Sequence, residues 1–355
     1  MKRYGNLWNA MISFPSLFRA ARRARKGKRL RPDVALFEYH LEQNLWKLHD
    51  ELLTRQYLPG DYHTFLIHEP KQRQISAAPY RDRVVHHALT AVLEEIFEPT
   101  FIDDSYACRP GKGTHAAVSR AQIFSRRFQY VLKADIRKFF PSIDHQILVQ
   151  QIERRVKDPN VLWLVRRIVD ASNEQEPVLN WFPGDDLLSP TERRRGLPIG
   201  NQTSQFFANA YLNPLDHFIC ESLRSGGYVR YADDMLVFES DKRRLSEVRE
   251  QIREFLGGFR LKLHPQKSEI FPVRTGIPFL GYRVFPDRKR LSRSNILRFR
   301  RRIRKLQIAW SAGQVSLPEI QRKMVSWLAH ARHGASSVWL ETFFANISFR
   351  KGDDH

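Results

Sequence analysis

The chain has 355 residues, with 59 Lys+Arg against 38 Asp+Glu and a formal net charge of +21. Hydrophobic residues make up 42% and aromatics 12%, enough for a core, so bulk disorder is excluded. Gly 17 and Pro 19 exclude a collagen-like or low-complexity chain, and two distant cysteines, Cys108 and Cys220, exclude a zinc ribbon or disulfide scaffold.

At roughly 150 residues per domain, the length suggests about two domains. The cysteine usage fits a reducing, cytoplasmic compartment. The basic N-terminus lacks an apolar stretch and a small-residue cleavage site, so no secretory signal is expected. No run approaches roughly 18 apolar residues, so no membrane span is expected. Such a charge attracts polyanions. Nucleic acid is the leading partner class, with an anionic membrane surface as the competitor.

Eight Lys or Arg residues lie between Arg19 and Arg31 with no acid among them. Helices are predicted over 37–53 and 82–97, from apolar positions such as Leu41, Leu45, Leu48 and Leu52. Residues 128–134 read as a buried strand. Helices are predicted over 144–155 and 161–171. The polar, Pro-containing segment 172–196 reads as a loop or short hairpin. A long helix is predicted over 201–224, broken near Pro214. Residues 228–238 read as two strands around a tight turn. A helix over 245–257 and a strand over 279–285 follow.

Ten Lys or Arg residues and no acid occupy 288–305, where Ile296, Phe299, Ile303, Leu306 and Trp310 form a helical stripe. This is either a solvated basic surface helix or a helix facing a nucleic-acid backbone. Another helix is predicted after Leu317. The tail KGDDH reads as frayed. Helices and strands alternate without a βαβ rhythm, which points to an α+β fold.

Asp233 and Asp234 sit between apolar strand residues at the predicted hairpin turn. Burying acids there is costly unless they are paired or bind metal. Asp135 ends the apolar run Tyr130-Val131-Leu132. Acids at strand ends can converge although 98 residues separate Asp135 from Asp233. Hard oxygen ligands suit Mg²⁺, and two such ions about 3.5–4 Å apart clamp an in-line phosphoryl displacement.

Tyr231-Ala232-Asp233-Asp234 resembles the YxDD box of reverse transcriptases. That family's other blocks follow in order over about residues 60–290. Arg73-Gln74-Ile75 through Pro79 with Arg81-Asp82-Arg83 resembles the first fingers block. Residues 105–115, with Arg109, Pro110, Gly111, Lys112 and Gly113, resemble the second. Asp135-Ile136-Arg137-Lys138-Phe139-Phe140 resembles the palm block. Gly196 through Gln205 resembles the next, and Leu263 through Ser268 with Phe279-Leu280-Gly281-Tyr282 the last two.

The resemblance implies a right-hand polymerase with an antiparallel palm sheet. Fingers and palm would span 32–286 after a basic extension over 1–31. A helical thumb would span 287–348 and a tail 349–355. Asp135, Asp233 and Asp234 would hold two Mg²⁺ ions (Mn²⁺ as a substitute), with the Ile136 carbonyl as a further ligand. Lys267 would be a general acid beside the leaving pyrophosphate. Phe140 would be the steric gate favouring dNTPs. Arg73, Ile199, Gly200 and Gln205 would contact the nucleotide. Arg83, Arg109, Lys112, Ser204, Tyr231, Gly281, Arg300, Arg301 and Arg304 would contact RNA template and RNA–DNA hybrid.

Most reverse transcriptases carry Gln-Gly-x-x-x-Ser-Pro where this chain has Ile199-Gly200-Asn201-Gln202-Thr203-Ser204-Gln205. The departure is similar to reverse transcriptases of diversity-generating retroelements, which are bacterial or phage-encoded. It implies copying of a template-repeat RNA into cDNA mutated at adenines, with a small basic accessory variability protein as partner. The stop at residue 355 and the few acids after residue 290 lead to the expectation of no endonuclease or RNase H segment. Rival readings are a retron, CRISPR-associated, abortive-infection or intron-like reverse transcriptase of ordinary fidelity, or a non-catalytic RNA-binding scaffold. A palm-fold nucleotide cyclase would need a GGDEF-like turn. An RNA-copying RNA polymerase usually shows GDD and selects ribose.

Overall fold

The computed structural model describes residues 2–68, 72–173, 175–334 and 337–350. Asp353 and Asp354 of the KGDDH tail lie outside them. Helices α1 (Trp8–Ile12) and α2 (Phe14–Ala24) precede α3 (Pro32–Tyr39) and α4 (Leu41–Leu53). Leu17, Ala20, Ala21 and Ala24 recur at helical spacing and are buried in a core shared with α5 (Tyr80–Phe97). Much of the basic N-terminal extension is therefore packed into the body: α2 buries its apolar face and leaves its arginines outward. The predicted helix over 37–53 is two helices, broken where His40 leaves helical geometry (φ −110°, ψ 37°).

Strands β1 (His63–Ile67) and β2 (Arg73–Ala77) form an antiparallel hairpin whose first strand is exposed and whose second is largely half-buried. Helix α6 (Thr114–Arg127) leads into β3 (Tyr130–Asp135), then α7 (Phe139–Ser142), α8 (His145–Glu153) and α9 (Pro159–Asp170). Asp144 and Asp158 cap the last two by accepting backbone N–H groups. The segment 172–196 contains the short helix α10 (Ser189–Glu192) and no hairpin among its described residues.

Helix α11 (Gln202–His217) runs through Pro214 instead of breaking there, and widens into a π turn at Phe218–Ser222. Buried Ala210, Tyr211, Leu212 and Leu215 hold it against the core, which outweighs the lost proline N–H.

Strands β4 (Gly227–Tyr231) and β5 (Asp234–Glu239) are joined by Ala232 and Asp233. Helix α12 (Lys242–Gly258) precedes β6 (Glu269–Pro272). The palm sheet has the antiparallel order β4-β5-β3-β6. Alternation assigns its two faces. Leu132, Ala134, Met235 and Val237 enter the larger core, and Val131, Val229, Leu236 and Phe238 the smaller one. Both faces are covered, so the strands read as continuous apolar runs.

The predicted strand over 279–285 is two strands, β7 (Ile277–Phe279) and β8 (Tyr282–Val284), with β9 (Lys289–Leu291) completing a second sheet. Leu280 (φ 48°) and Gly281 (φ 88°) are both left-handed, the geometry a two-residue hairpin turn demands. A run of apolar residues hides such a turn, because leucine rarely occupies it. Helices α13 (Arg293–Ser311), α14 (Leu317–Ala331) and α15 (Ser337–Ala345) follow. Phe299 stacks on Trp327 with ring centroids 3.7 Å apart, joining α13 to α14. Among the described residues no helix is long and apolar enough to cross a membrane.

Candidate active site

Antiparallel register sets Asp135, the last residue of β3, directly opposite Asp234, the first of β5. Val131, Lys133 and Asp135 share one face of β3, and Asp234, Leu236 and Phe238 share the same face of β5. Asp233 occupies the β4–β5 turn itself, where Ala232 takes a left-handed conformation (φ 54°). The three acids are thus brought to one end of the palm sheet.

Their surroundings are cationic and partly dry. Lys267 Nζ donates to Asp135 Oδ2 at 2.9 Å. Lys133 Nζ lies 3.7 Å from Asp234 Oδ1, beyond hydrogen-bond reach. That buried oxygen has no hydrogen-bond partner. Burial pushes the Asp234 carboxyl up to about 7, with Asp233 and Asp135 adding to the rise and Lys133 opposing it. Burial, then the Asp135 charge, also raises Asp233, while Arg73 and Lys267 pull it back. Arg73 of β2 is thereby within electrostatic reach of the palm acids.

A buried carboxylate oxygen without a donor, between like charges, is a site suited to a cation. Among the described residues the acids do not already form a closed cluster of three metal-binding side chains. Without a cation the carboxylates repel, and Lys267 occupies one of them. Ile136 pairs with Leu263 outside the main strands, while Arg137 N–H bonds to Lys262 O and His264 N–H to Asp135 O. Those bonds belong to the flanking residues, so the Ile136 carbonyl is not spent on Leu263.

Segments carrying residues expected on the nucleotide side are joined by backbone bonds. Leu197 N–H donates to Phe140 O, and Ser76 N–H to Ile199 O, both at 3.0 Å. Gly200 has φ 119°, and a Cβ there would stand 3.0 Å from Ile75 Cγ2, so glycine permits the close approach to β2. Asn201, buried, accepts from Ala78 N–H and donates to Ser76 O. This clamp escaped the sequence reading because Asn201 bonds across to β2, 123 and 125 positions away, and does not cap α11 with its side chain. Gln205 lies half-buried one turn into α11. Phe140 is half-buried against Phe139.

Several expected template contacts are engaged elsewhere. Arg109 donates to Glu98, Ile102 O and Ser105 O, with its side chain only 6% exposed. It braces the 98–109 loop, because a buried guanidinium must spend its donors internally. Lys112 pairs with Asp103 and caps that loop. Ser204 is buried on the inner face of α11. These three do not present free groups to a template here. Arg83 is half-buried and donates to Ala78 O. Tyr231 receives a 3.4 Å bond from Thr114. Gly281 sits where a Cβ would stand 3.1 Å from Asn295 Nδ2, at the junction with α13. Arg300, Arg301 and Arg304 are exposed on α13. Lys133, beside Asp234, was not foreseen, although it is the one charged residue of the strand expected over 128–134.

Residues 67–284 match the family model described as reverse transcriptase (RNA-dependent DNA polymerase). The chain is 25% identical over 302 residues to protein YkfC of Escherichia coli (strain K12), covering 74% of this chain and 76% of YkfC. It is 26% identical over 183 residues to the group II intron-encoded protein LtrA of Lactococcus lactis subsp. cremoris, covering 51% of this chain and 29% of LtrA. It thus spans most of YkfC but under a third of LtrA. An apo telomerase structure from Candida tropicalis, truncated from its C-terminal domain, aligns with TM-score 0.49 at 14% identity over 65% of this chain and 55% of that one. With an antiparallel palm sheet whose end gathers Asp135, Asp233 and Asp234, and a family match over most of its length, this chain belongs to the reverse transcriptases, RNA-directed DNA polymerases of mixed helix and sheet fold.

Proposed function

We propose that this reverse transcriptase copies a template-repeat RNA into adenine-mutagenised cDNA that diversifies a target gene. The observation that carries the subtype is the block Ile199 through Gln205. Its Ile199 accepts from Ser76 of β2, and Leu197, two residues before it, donates to Phe140 O. A glutamine there would offer a hydrogen bond near the nascent pair, and a branched aliphatic cannot. One lost polar contact is worth on the order of 1 kcal/mol, enough to weaken discrimination severalfold.

Asp135, Asp233, Asp234 and the Ile136 carbonyl would hold Mg²⁺, which when bound supplies neutralisation of the charge that develops on the reacting phosphoryl oxygens. Asp234, whose Oδ1 has only the 3.7 Å ion pair to Lys133 and no hydrogen bond, would gain a closer partner on cation binding. Arg73 meets the triphosphate with a guanidinium fork. Phe140 excludes a 2′-hydroxyl. Lys267, released from Asp135, holds a proton at Nζ for the leaving pyrophosphate. Arg300, Arg301 and Arg304 bind the hybrid through phosphates and A-form shape. A small basic accessory protein is the expected partner, and a bacterial or phage-encoded cytoplasmic setting the expected location.

The test is cDNA synthesis on a defined RNA with dNTPs and Mg²⁺, with and without a candidate accessory protein, scored for errors by template base. Errors concentrated at adenines support the reading. Errors spread evenly over the four bases overturn the subtype and favour an ordinary-fidelity enzyme like the intron-encoded relatives.

A further inference from the structure

Arg230 and Asp216 are both fully buried. The guanidinium faces the carboxylate side-on, with Nε to Oδ1 and Nη2 to Oδ2 each at 2.6 Å. Tyr228 donates to the same Oδ1 at 2.8 Å. The remaining nitrogen, Nη1, donates at 3.2 Å to two acceptors, Asn209 Oδ1 and the Ala232 carbonyl. Asn209 is fixed in turn by donating to Ala107 O at 2.8 Å.

A buried pair of this kind adds little net stability over apolar residues of equal volume. Stability alone therefore does not account for it. Its geometry supplies another reason. Ala232 is a non-glycine residue in a left-handed conformation (φ 54°), a state that persists only when its surroundings hold it. The next two residues are Asp233 and Asp234. Asp216 and Asn209 both belong to α11, which starts at Gln202 inside the nucleotide-side block. One helix thus links that block to the turn carrying the acids, and Arg230 is the connection.

We propose that Arg230, clamped by Asp216 and Asn209, is a positioning residue that holds the Ala232 carbonyl and so sets the Asp233 and Asp234 carboxylates against Asp135; this rests on the polymerase reading above. Lysine at 230 keeps the charge for Asp216 but replaces the planar fork, whose separate nitrogens reach Asp216 and Ala232, with a single ammonium nitrogen. The double change Arg230→Met with Asp216→Leu removes both buried charges together, so its fold is expected to survive.

The test measures native-state hydrogen exchange of residues 231–235 and 236–239 in both variants. It also measures single-turnover incorporation against Mg²⁺ concentration and affinity for an RNA–DNA hybrid. The expected result is exchange at 231–235 faster by at least about tenfold, with 236–239 protected as in the wild type. Incorporation falls about 10–100-fold and half-saturating Mg²⁺ rises, as for lost outer-shell support, while hybrid affinity stays within about twofold. Should the double variant not fold, Arg230→Lys carries the same comparison. A folded variant with wild-type exchange at 231–235 and wild-type Mg²⁺ dependence overturns the proposal. An inactive wild-type protein would instead overturn the polymerase reading, and the exchange data would still decide the role of Arg230.

Discussion

Lys267 Nζ lies 2.9 Å from Asp135 Oδ2, an ion pair that joins the end of β3 to the turn after α12. The pair holds a proton-bearing amine at the acid cluster. It also shields one carboxylate from its neighbours, while Asp234 Oδ1 has no hydrogen bond. On the proposed reading a cation would bind at Asp234 while Lys267 changes partner at Asp135.

Asp234→Asn should stabilise the cation-free protein while abolishing synthesis. The folded-state value near 7 lies above the ordinary 3.8, so ionising Asp234 opposes folding. That cost is absent below about 3.8 and complete above about 7. The Tm gain of the variant, measured in EDTA, should grow between pH 4 and pH 8. Mg²⁺ should raise the wild-type Tm and leave the variant nearly unmoved. A constant gain across the series would contradict the burial of this charge.

Ile199→Gln should lower adenine errors. Sequencing of cDNA from both proteins on one template measures it. An unchanged error spectrum would remove Ile199 from the account.

Phe140→Ala should admit ribonucleotides. Relief of a clash with the 2′-hydroxyl is expected to erode dNTP preference by about 10–200-fold, the range for small steric differences in a pocket. Competition between dATP and ATP in primer extension reads this directly. Unchanged preference would make Phe140 an ordinary packing residue against Phe139.

Replacing Arg300, Arg301 and Arg304 together by alanine should weaken hybrid binding without altering the incorporation rate at saturation. Each lost phosphate contact should flatten the log Kd against log salt slope by roughly 0.9. A wild-type slope would take the exposed face of α13 out of the nucleic-acid path.

Much of the site was legible because its chemistry is local. The acids stand beside apolar strand residues, and a strand followed by a tight turn explains their placement. What was not legible depends on distant partners. The resemblance implied a template contact for Arg109, but its donors go to Glu98 and Ile102, and Arg230 was not singled out because its partner Asp216 is fourteen positions away. The helix through Pro214 and the Leu280–Gly281 turn follow the same rule: tertiary packing overrode the local preference.

The most direct test of the central claim is primer extension on an RNA template with Mg²⁺ and dNTPs, comparing wild type with Asp233→Asn, alongside RNA binding by both. Extension by the wild type, none by the variant, and nearly equal RNA affinity are the expected results. Retained synthesis by Asp233→Asn would contradict the assignment of the palm acids to the reaction.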